Sequence, residues 1–310
     1  MEISIQSYAT TQNYETDKAF KILKESGFTA IDWALDLVWD RAEIKKGIMP
    51  DGTIFDGTLD EIEAHFADEL AAIRKYGFKI SQAHAAFPCY IEDKPEFNKY
   101  CIEVYKKTIL LCDRVGCKNL IIHGISRYPD NKTHSYEDIV KINMDMYTAL
   151  IPTLLKTNVV VCLENLFFTI AEKRYAGTCC DPHEACEYID KLNALAGKEC
   201  FGLCFDTGHI NLVHCQPEYY IKTLGKRIKA LHIHDNDMMG DNHLAPFTGK
   251  FDFMQFARAL RDIGYDGDLS FETYRQTDNK RVPDRLVKPF LDLTYQCGLL
   301  FKDIIEGREQ

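Results

Sequence analysis

The segment "LHIHDND" (residues 231–237) begins with an apolar residue and ends in carboxylates and an amide. In it Leu231 and Ile233 alternate with two histidines, which is the pattern of a β-strand with one apolar face and one polar face. We interpret the segment as a buried strand whose carboxyl end reaches a polar, reactive edge of the molecule.

The composition is that of a globular protein, because 46% of the 310 residues are hydrophobic and 27% are charged. The net charge of −10 disfavours a nucleic-acid partner, because binding nucleic acid requires positive side chains that neutralise many phosphates. The twelve cysteines include no CxxC pair, and we expect free thiols in a reducing cytoplasm. The chain begins "MEISIQSY" and has no long apolar run, so neither a signal peptide nor a membrane span is predicted. These features are compatible with a homo-oligomer.

Short apolar runs alternate with longer helix-like segments along the whole chain. The eight runs cover residues 3–9, 30–36, 79–87, 119–125, 159–166, 201–210, 228–235 and 267–274. Several helix-like segments end in a glycine, as helices commonly do: Gly27, Gly77, Gly116 and Gly264. Eight strand–helix repeats predict an α/β fold, a single (β/α)8 TIM-barrel domain over residues 1–310. An open doubly wound sheet has the same alternation, but no Gly-rich phosphate loop follows the first run, and eight strands favour closure.

Residues that bind metals or move protons are found near the carboxyl ends of six predicted strands. They are His84, His123, Glu164, Asp206 with His209, His232 with His234, and Glu272. In a barrel these strand ends meet at one rim, where barrel enzymes place their active sites. Neighbouring strand positions such as Leu163 and Phe205 are large and apolar, so the polar side chains are expected to face the barrel lumen.

A cluster of buried carboxylates costs free energy unless a cation neutralises it, and these strands supply no lumen-facing lysine or arginine nearby. The simplest explanation is a divalent cation held by four of the residues: Glu164, Asp206, His232 and Glu272. Three carboxylates and one imidazole favour Mn²⁺, Mg²⁺ or Co²⁺. Additional ligation by His84 and His123 would favour Zn²⁺ and allow a second ion. Without a metal, the histidines would be hydrogen-bonded core residues and the glutamates ion-pair partners.

Four motifs occur in order on the last four predicted strands. They are "CLENL" (162–166), "FDTGHINL" (205–212), "LHIHDND" followed by "DNHLAPFTGKFDF" (231–253), and "SFETY" (270–274). They resemble the xylose-isomerase-like barrel superfamily, particularly its sugar phosphate isomerase/epimerase branch. The resemblance covers essentially the whole chain and implies the metal ligands Glu164, Asp206, His232 and Glu272. It also implies a substrate contact by His209, whereas Met238 stands where related ketose epimerases have a substrate-binding arginine.

The resemblance implies a metal-dependent isomerase or epimerase that acts on a sugar, a sugar phosphate or a polyol through an enediolate. In such an enzyme Glu164 and Glu272 would transfer the proton. Further substrate contacts are expected from His84, His123, His209 and His234. Residues His234 and Asp235 are also expected to orient metal ligands. A dehydratase of the inosose type could use the same cation, glutamates and histidines.

An endonuclease-IV-type repair enzyme of the same superfamily is the alternative. The resemblance supplies a candidate for each of the nine ligands that bind its three zinc ions. The groups would be His84, His123 and Glu164; Asp206, His232 and Glu272; and His209, Asp241 and His243. The acidic charge balance favours the sugar enzyme. A purely structural barrel would have little use for so many ionisable groups at one rim.

Overall fold

The computed structural model of the protein describes residues 1–35, 43–44, 48, 50, 53–126, 135–278 and 280–308. Asp36, the last residue of the second predicted run, lies outside these ranges. Within them, no helix has the length and apolar character needed to cross a membrane. All twelve cysteines are free thiols.

A closed barrel of parallel strands lies at the centre of the molecule. The strands are β1 Ile3–Gln6, β2 Ala30–Ala34, β3 Lys79–His84, β4 Asn119–Ile121, β5 Val160–Glu164, β6 Phe167–Ile170, β7 Lys173–Ala176, β8 Phe201–Asp206, β9 Ile228–His232 and β10 Leu269–Phe271. All except β6 and β7 form one sheet in the order β10-β1-β2-β3-β4-β5-β8-β9. The sheet closes through Ile233, which follows β9. The N–H of Ile233 donates to the Ser270 carbonyl at 2.8 Å, and the Ile233 carbonyl accepts from the N–H of Glu272 at 3.0 Å. The predicted (β/α)8 barrel is confirmed.

Helices connect and surround the barrel strands. They are α1 Tyr8–Asn13, α2 Thr16–Glu25, α3 Leu59–His65, α4 Ala67–Tyr76, α5 Pro95–Val115, α6 Tyr136–Thr148, α7 Ile151–Leu154, α8 Pro182–Ala196, α9 Thr207–Leu212, α10 Pro217–Leu224, α11 Phe253–Asp262 and α12 Asp284–Ile305. Gly77 and Gly116 end α4 and α5 with φ angles of 66° and 79°. Because glycine adopts this left-handed conformation without strain, it ends both helices where the sequence predicts.

Side chains of the barrel strands alternate between the helix layer and the lumen, as the sequence pattern predicts. Leu163, Phe205 and Leu231 point outward into the main hydrophobic core. A separate buried cluster fills the lumen and is called the barrel floor here: Ile121, Cys162, Cys204 and Ala230. Each member precedes a candidate site residue by two positions. The floor therefore lies directly beneath the candidate site.

Every barrel strand is shorter than its predicted run, and the run 201–210 shows why. Strand β8 ends at Asp206, and helix α9 begins at the next residue. The Asp206 side chain accepts a hydrogen bond from the N–H of His209 at 2.7 Å, which caps the helix. The prediction of a strand over the last four residues of this run was therefore wrong.

An antiparallel hairpin follows β5 at the rim, and the sequence analysis did not predict it. Its strands β6 and β7 pair in register from Phe167 opposite Ala176. Ala171 and Glu172 form the turn with positive φ angles of 44° and 67°. The ring of Phe167 packs edge-on against His209, with 5.0 Å between the ring centroids. The hairpin thus forms a wall on one side of the rim.

Candidate functional site

The four predicted metal ligands face one point at the rim. The Nδ1 atom of His232 lies 3.3 Å from Glu164 Oε1 and 3.5 Å from Glu272 Oε2. The same nitrogen lies 3.9 Å from Asp206 Oδ2. All four side chains are buried. Three carboxylates and one imidazole from β5, β8, β9 and the end of β10 are thus brought together, as expected.

The two carboxylate oxygens of Asp206 have different partners. Oδ1 caps helix α9, while Oδ2 lies 3.1 Å from Nε2 of His234. The side chain of Asn165 donates to the Asp206 carbonyl at 2.9 Å and accepts from its N–H at 2.8 Å. The Asn165 carbonyl in turn lies 2.8 Å from His209 Nδ1. These main-chain contacts fix the direction in which Oδ2 points.

A second group is formed by His84, His123 and Glu164. The Nε2 atom of His123 lies 2.6 Å from Glu164 Oε2 and 3.0 Å from His84 Nε2. The His84 Nδ1 atom lies 2.9 Å from the carbonyl of Ala85, which assigns the proton to Nδ1 and leaves Nε2 as the ligand atom. Glu164 belongs to both groups, because Oε1 faces His232 and Oε2 faces His123.

A third group surrounds Asp241. Its Oδ2 atom lies 3.0 Å from His243 Nε2 and 3.6 Å from His209 Nε2. Its Oδ1 atom lies 3.8 Å from His234 Nε2. The rings of His234 and His243 stack at a centroid distance of 4.1 Å. The three residues considered for a third ion are therefore close together, and His234 joins them.

Asp235 holds the loop that carries Asp241 and His243. Its carboxylate accepts three backbone N–H groups of residues 249–251 at 2.7, 2.9 and 3.0 Å. A Cβ atom at Gly249 would lie only 2.4 Å from Asp235 Oδ1, so this close approach requires glycine. Asp235 is predicted to orient metal ligands, and the contacts of its carboxylate order the loop that carries Asp241 and His243.

Opposite charges shift the pKa values of the cluster strongly. Burial alone would raise the pKa of Glu164, but the charges of His123 and His232 outweigh it and hold this pKa well below its ordinary value. Burial alone would lower the pKa of His243, but Asp241 outweighs it and raises the pKa to about 9. In the metal-free chain, imidazolium and carboxylate groups therefore neutralise one another. A bound cation would take the place of the imidazole protons.

Comparison with known proteins identifies the family. A profile of the xylose isomerase-like TIM barrel matches residues 20–289. The chain belongs to this family. One relative by sequence is the uncharacterized protein y4fM of Sinorhizobium fredii, which is 27% identical over 274 residues. The match covers 81% of this chain and 79% of that protein.

Solved structures similar to this xylose isomerase-like barrel include sugar epimerases. A D-tagatose 3-epimerase-like protein has a TM-score of 0.72 and 17% identity over 99% of both chains. The 3-keto-D-glucoside 4-epimerase YcjR from E. coli has a TM-score of 0.69 and 19% identity, over 96% of this chain and 100% of that one. The IolI protein, solved with a zinc atom, has a TM-score of 0.65 and 18% identity over 99% of both chains. At these identities the likeness establishes the shared fold.

The donor set of this xylose isomerase-like barrel fits a divalent cation. Glu164 Oε2 and Asp241 Oδ1 are buried carboxylate oxygens, and each faces an imidazole nitrogen: His123 Nε2 lies 2.6 Å from the first and His234 Nε2 lies 3.8 Å from the second. The ion-pair partners of these carboxylates among the described residues are histidines. Four groups of three site residues have ligand atoms within 4.8 Å of one another. Carboxylate oxygens and imidazole nitrogens at this spacing suit Mn²⁺, Mg²⁺, Co²⁺ or Zn²⁺.

Strands β1 to β3 supply supporting residues that the sequence analysis did not predict. The Gln6 amide donates to Glu272 Oε1 at 2.9 Å. The Oδ2 atom of Asp32 lies 3.2 Å from His232 Nε2 and accepts from the Gln82 amide at 2.8 Å. Gln6, Asp32 and Gln82 are each a polar residue inside a predicted apolar run. Strand parity, applied to the first three strands as well, would have placed these side chains in the lumen.

Proposed function

We propose that the protein is a divalent-metal-dependent isomerase or epimerase that acts on a sugar, a sugar phosphate or a polyol. The observation that carries the proposal is the meeting of three carboxylates around Nδ1 of His232. It occurs at the rim where barrel enzymes place their active sites. The sugar epimerases among the proteins of the same fold support the substrate class.

Four residues would hold the cation: Glu164, Asp206, His232 and Glu272. When bound, the cation supplies Lewis-acid polarisation of a substrate carbonyl. Three carboxylates favour Mn²⁺, Mg²⁺ or Co²⁺. Zn²⁺ is an alternative, supported by the imidazoles of the adjoining groups and by the zinc atom in the IolI structure.

The two glutamates would transfer the proton. Glu164 ends β5 and Glu272 follows β10, with β8 and β9 between them in the barrel, so they approach the substrate from different sides. One carboxylate removes the proton beside the carbonyl, which gives an enediolate. The other returns a proton to the opposite face, in an epimerase, or to the neighbouring carbon, in an isomerase.

Histidines around the glutamates would contact the substrate or support the ligands. His209 donates through Nδ1 to the Asn165 carbonyl, and its Nε2 would hydrogen-bond to a substrate oxygen. His84 and His123 would face the substrate on the other side of Glu164 from His209. We assign His234 to orienting Asp206, because its ring is fully buried and its Nε2 faces that carboxylate.

The test is solvent exchange on a panel of ketoses, keto-glycosides and their phosphates, with the metal-loaded protein in deuterated water. We expect deuterium at the carbon beside the carbonyl, together with an epimer or isomer, followed by NMR. A dehydratase would instead give a product lighter by one water. Absence of exchange with every compound, while metal is bound, would contradict the proposal. A product that keeps the substrate's own hydrogen would indicate a hydride shift and would contradict the proposed proton transfer.

A three-zinc nuclease for abasic sites is the second candidate, and one observation favours it. All nine residues considered for three ions lie in the adjoining groups described above. We favour a single ion in the working enzyme, since the net charge of −10 disfavours a DNA partner. Elemental analysis should therefore give one ion per chain. Three zinc ions per chain, with cleavage of duplex DNA at an abasic site, would replace the proposed function.

We further infer that residues 1–310 act as a single domain on a small-molecule substrate in a reducing cytoplasm. One hydrophobic core runs from Ile3 to Ile305 and includes residues of all eight barrel strands, which supports the single domain. The twelve free thiols support the reducing compartment.

A further inference from the structure

Asp32 lies on β2, outside the predicted ligand set, and is fully buried. Its Oδ2 atom contacts His232 and Gln82, as described above. Its Oδ1 atom is buried and has no hydrogen-bond partner among the residues that the structure describes. A buried carboxylate with so few partners costs free energy unless a positive or polarised group compensates it. The His232 imidazole is the group that faces it.

The two nitrogens of His232 point in different directions. Nε2 faces Asp32 at 3.2 Å, while Nδ1 faces the three carboxylates of the candidate metal ligands. When a cation replaces the Nδ1 proton, the acceptor beside Nε2 holds the remaining proton there and leaves the Nδ1 lone pair for the cation. The ring is therefore oriented so that Nδ1 can serve as a metal ligand.

A strand irregularity places Asp32 opposite its supporting amide. The register between β2 and β3 shifts after Ile31, so that Asp32 pairs with Gln82 and Ser81 is skipped. Bulges of this kind re-aim a side chain and are frequent beside active sites. The Gln82 amide also donates to the carbonyl of Leu231, next to His232, at 3.1 Å. Gln82 thus links β2 to β9 across the lumen.

We propose that Asp32, held by Gln82, is a positioning residue that fixes the tautomer and orientation of His232 and thereby strengthens cation binding. The inference rests on the proposed metal-dependent function. A carboxylate behind a ligating histidine raises the basicity of that ligand, and its loss typically weakens metal binding about 10- to 100-fold.

The test is a Co²⁺ titration of the metal-free full chain, followed by visible absorption and independent of any substrate. In the variant Asp32→Asn we expect the Co²⁺ affinity to fall about 10- to 100-fold. In Gln82→Leu the ligands and the Asp32 charge remain, so we expect a smaller, several-fold loss. Glu69→Gln is the matched control, because Glu69 accepts from the Trp33 indole at 2.6 Å in the helix layer. This control should bind Co²⁺ like the parent.

Wild-type affinity in both Asp32→Asn and Gln82→Leu would overturn the inference. An equal loss in Glu69→Gln would also overturn it, because the effect would then be general destabilisation. If Asp32→Asn does not fold, Gln82→Leu decides alone, with the urea unfolding of its metal-free form as the check on folding. If the parent chain binds no Co²⁺, the proposed function fails first, and that result is distinct from a change between variants.

Discussion

At Glu272 the two carboxylate oxygens have different neighbours, since Oε1 accepts from Gln6 and Oε2 faces His232. The variant Glu272→Gln keeps the size of the side chain but removes the base. With metal occupancy restored by excess Mn²⁺ and checked by elemental analysis, we expect turnover about 10²- to 10⁴-fold below the parent. Glu184→Gln, a buried carboxylate that accepts from the N–H of Cys179, is the control and should retain turnover. Parent-like turnover in Glu272→Gln would leave Glu272 as a ligand only.

Gly208 leaves room for His234. A Cβ atom at this position would lie 1.9 Å from Cε1 of the His234 ring, which is fully buried and stacked on His243. Gly208→Ala is therefore expected to destabilise the chain by about 1–3 kcal/mol, measured by urea unfolding, and to weaken Co²⁺ binding. In Gly240→Ala the added methyl group would approach Asn242 only to 3.4 Å, and both quantities should stay unchanged. Equal stability of the two variants would contradict this account.

The candidate ligands could be predicted because each is a charged or imidazole residue inside an apolar run. Gln6 and Gln82 carry neutral amides, which give no metal-ligand signal in a sequence. Asp32 is a carboxylate in such a run, but it precedes the strand end and was not considered. Its contact with His232 depends on the strand irregularity after Ile31, which the sequence does not show.

The carboxylate of Asp235 holds the far end of the loop between β9 and α11. The variant Asp235→Asn removes the charge from three backbone hydrogen bonds to residues 249–251. We expect a loss of about 1–3 kcal/mol in the free energy of unfolding and faster amide hydrogen exchange in the loop. Asp237→Asn is the control, because Asp237 is exposed and caps a turn of the same loop. Unchanged exchange in Asp235→Asn would show that other contacts order the loop.

The number of barrel strands and the glycine helix ends followed from the sequence, because both depend on local patterns. The ends of the strands did not, since polar residues such as Asp206 continue the strand pattern while their side chains already cap the next turn. The hairpin of β6 and β7 was missed because its pairing depends on two short segments around the turn at Ala171 and Glu172. Strand β7 lacks the apolar pattern of a buried barrel strand, and the apolar residues of β6 follow directly on the predicted run 159–166.

The charged cluster makes the stability of the metal-free molecule depend on pH. The folded pKa of His243 is about 9, above its ordinary 6.5, so its stabilisation is fully present below pH 6.5 and is lost as the pH rises through about 9. The pKa of Glu164 is lowered, so its stabilisation is present above its ordinary 4.5 and is lost as the pH falls toward the folded pKa.

We therefore expect the melting temperature of the EDTA-treated chain to fall as the pH rises from 6.5 to about 9. The Mn²⁺-loaded chain should show a smaller decrease, because deprotonated imidazoles bind the cation. Thermal unfolding of both forms over this range is the measurement. A constant melting temperature of the metal-free chain would contradict the assignment of these charges.

The barrel floor has a kinetic consequence. Ile121, Cys162, Cys204 and Ala230 fill the lumen beneath the charged groups. Among the described residues, the floor closes the lumen below the site, so we expect a molecule bound there to leave by the rim through which it entered. In the proposed enzyme, departure of the product would then have to precede entry of the next substrate.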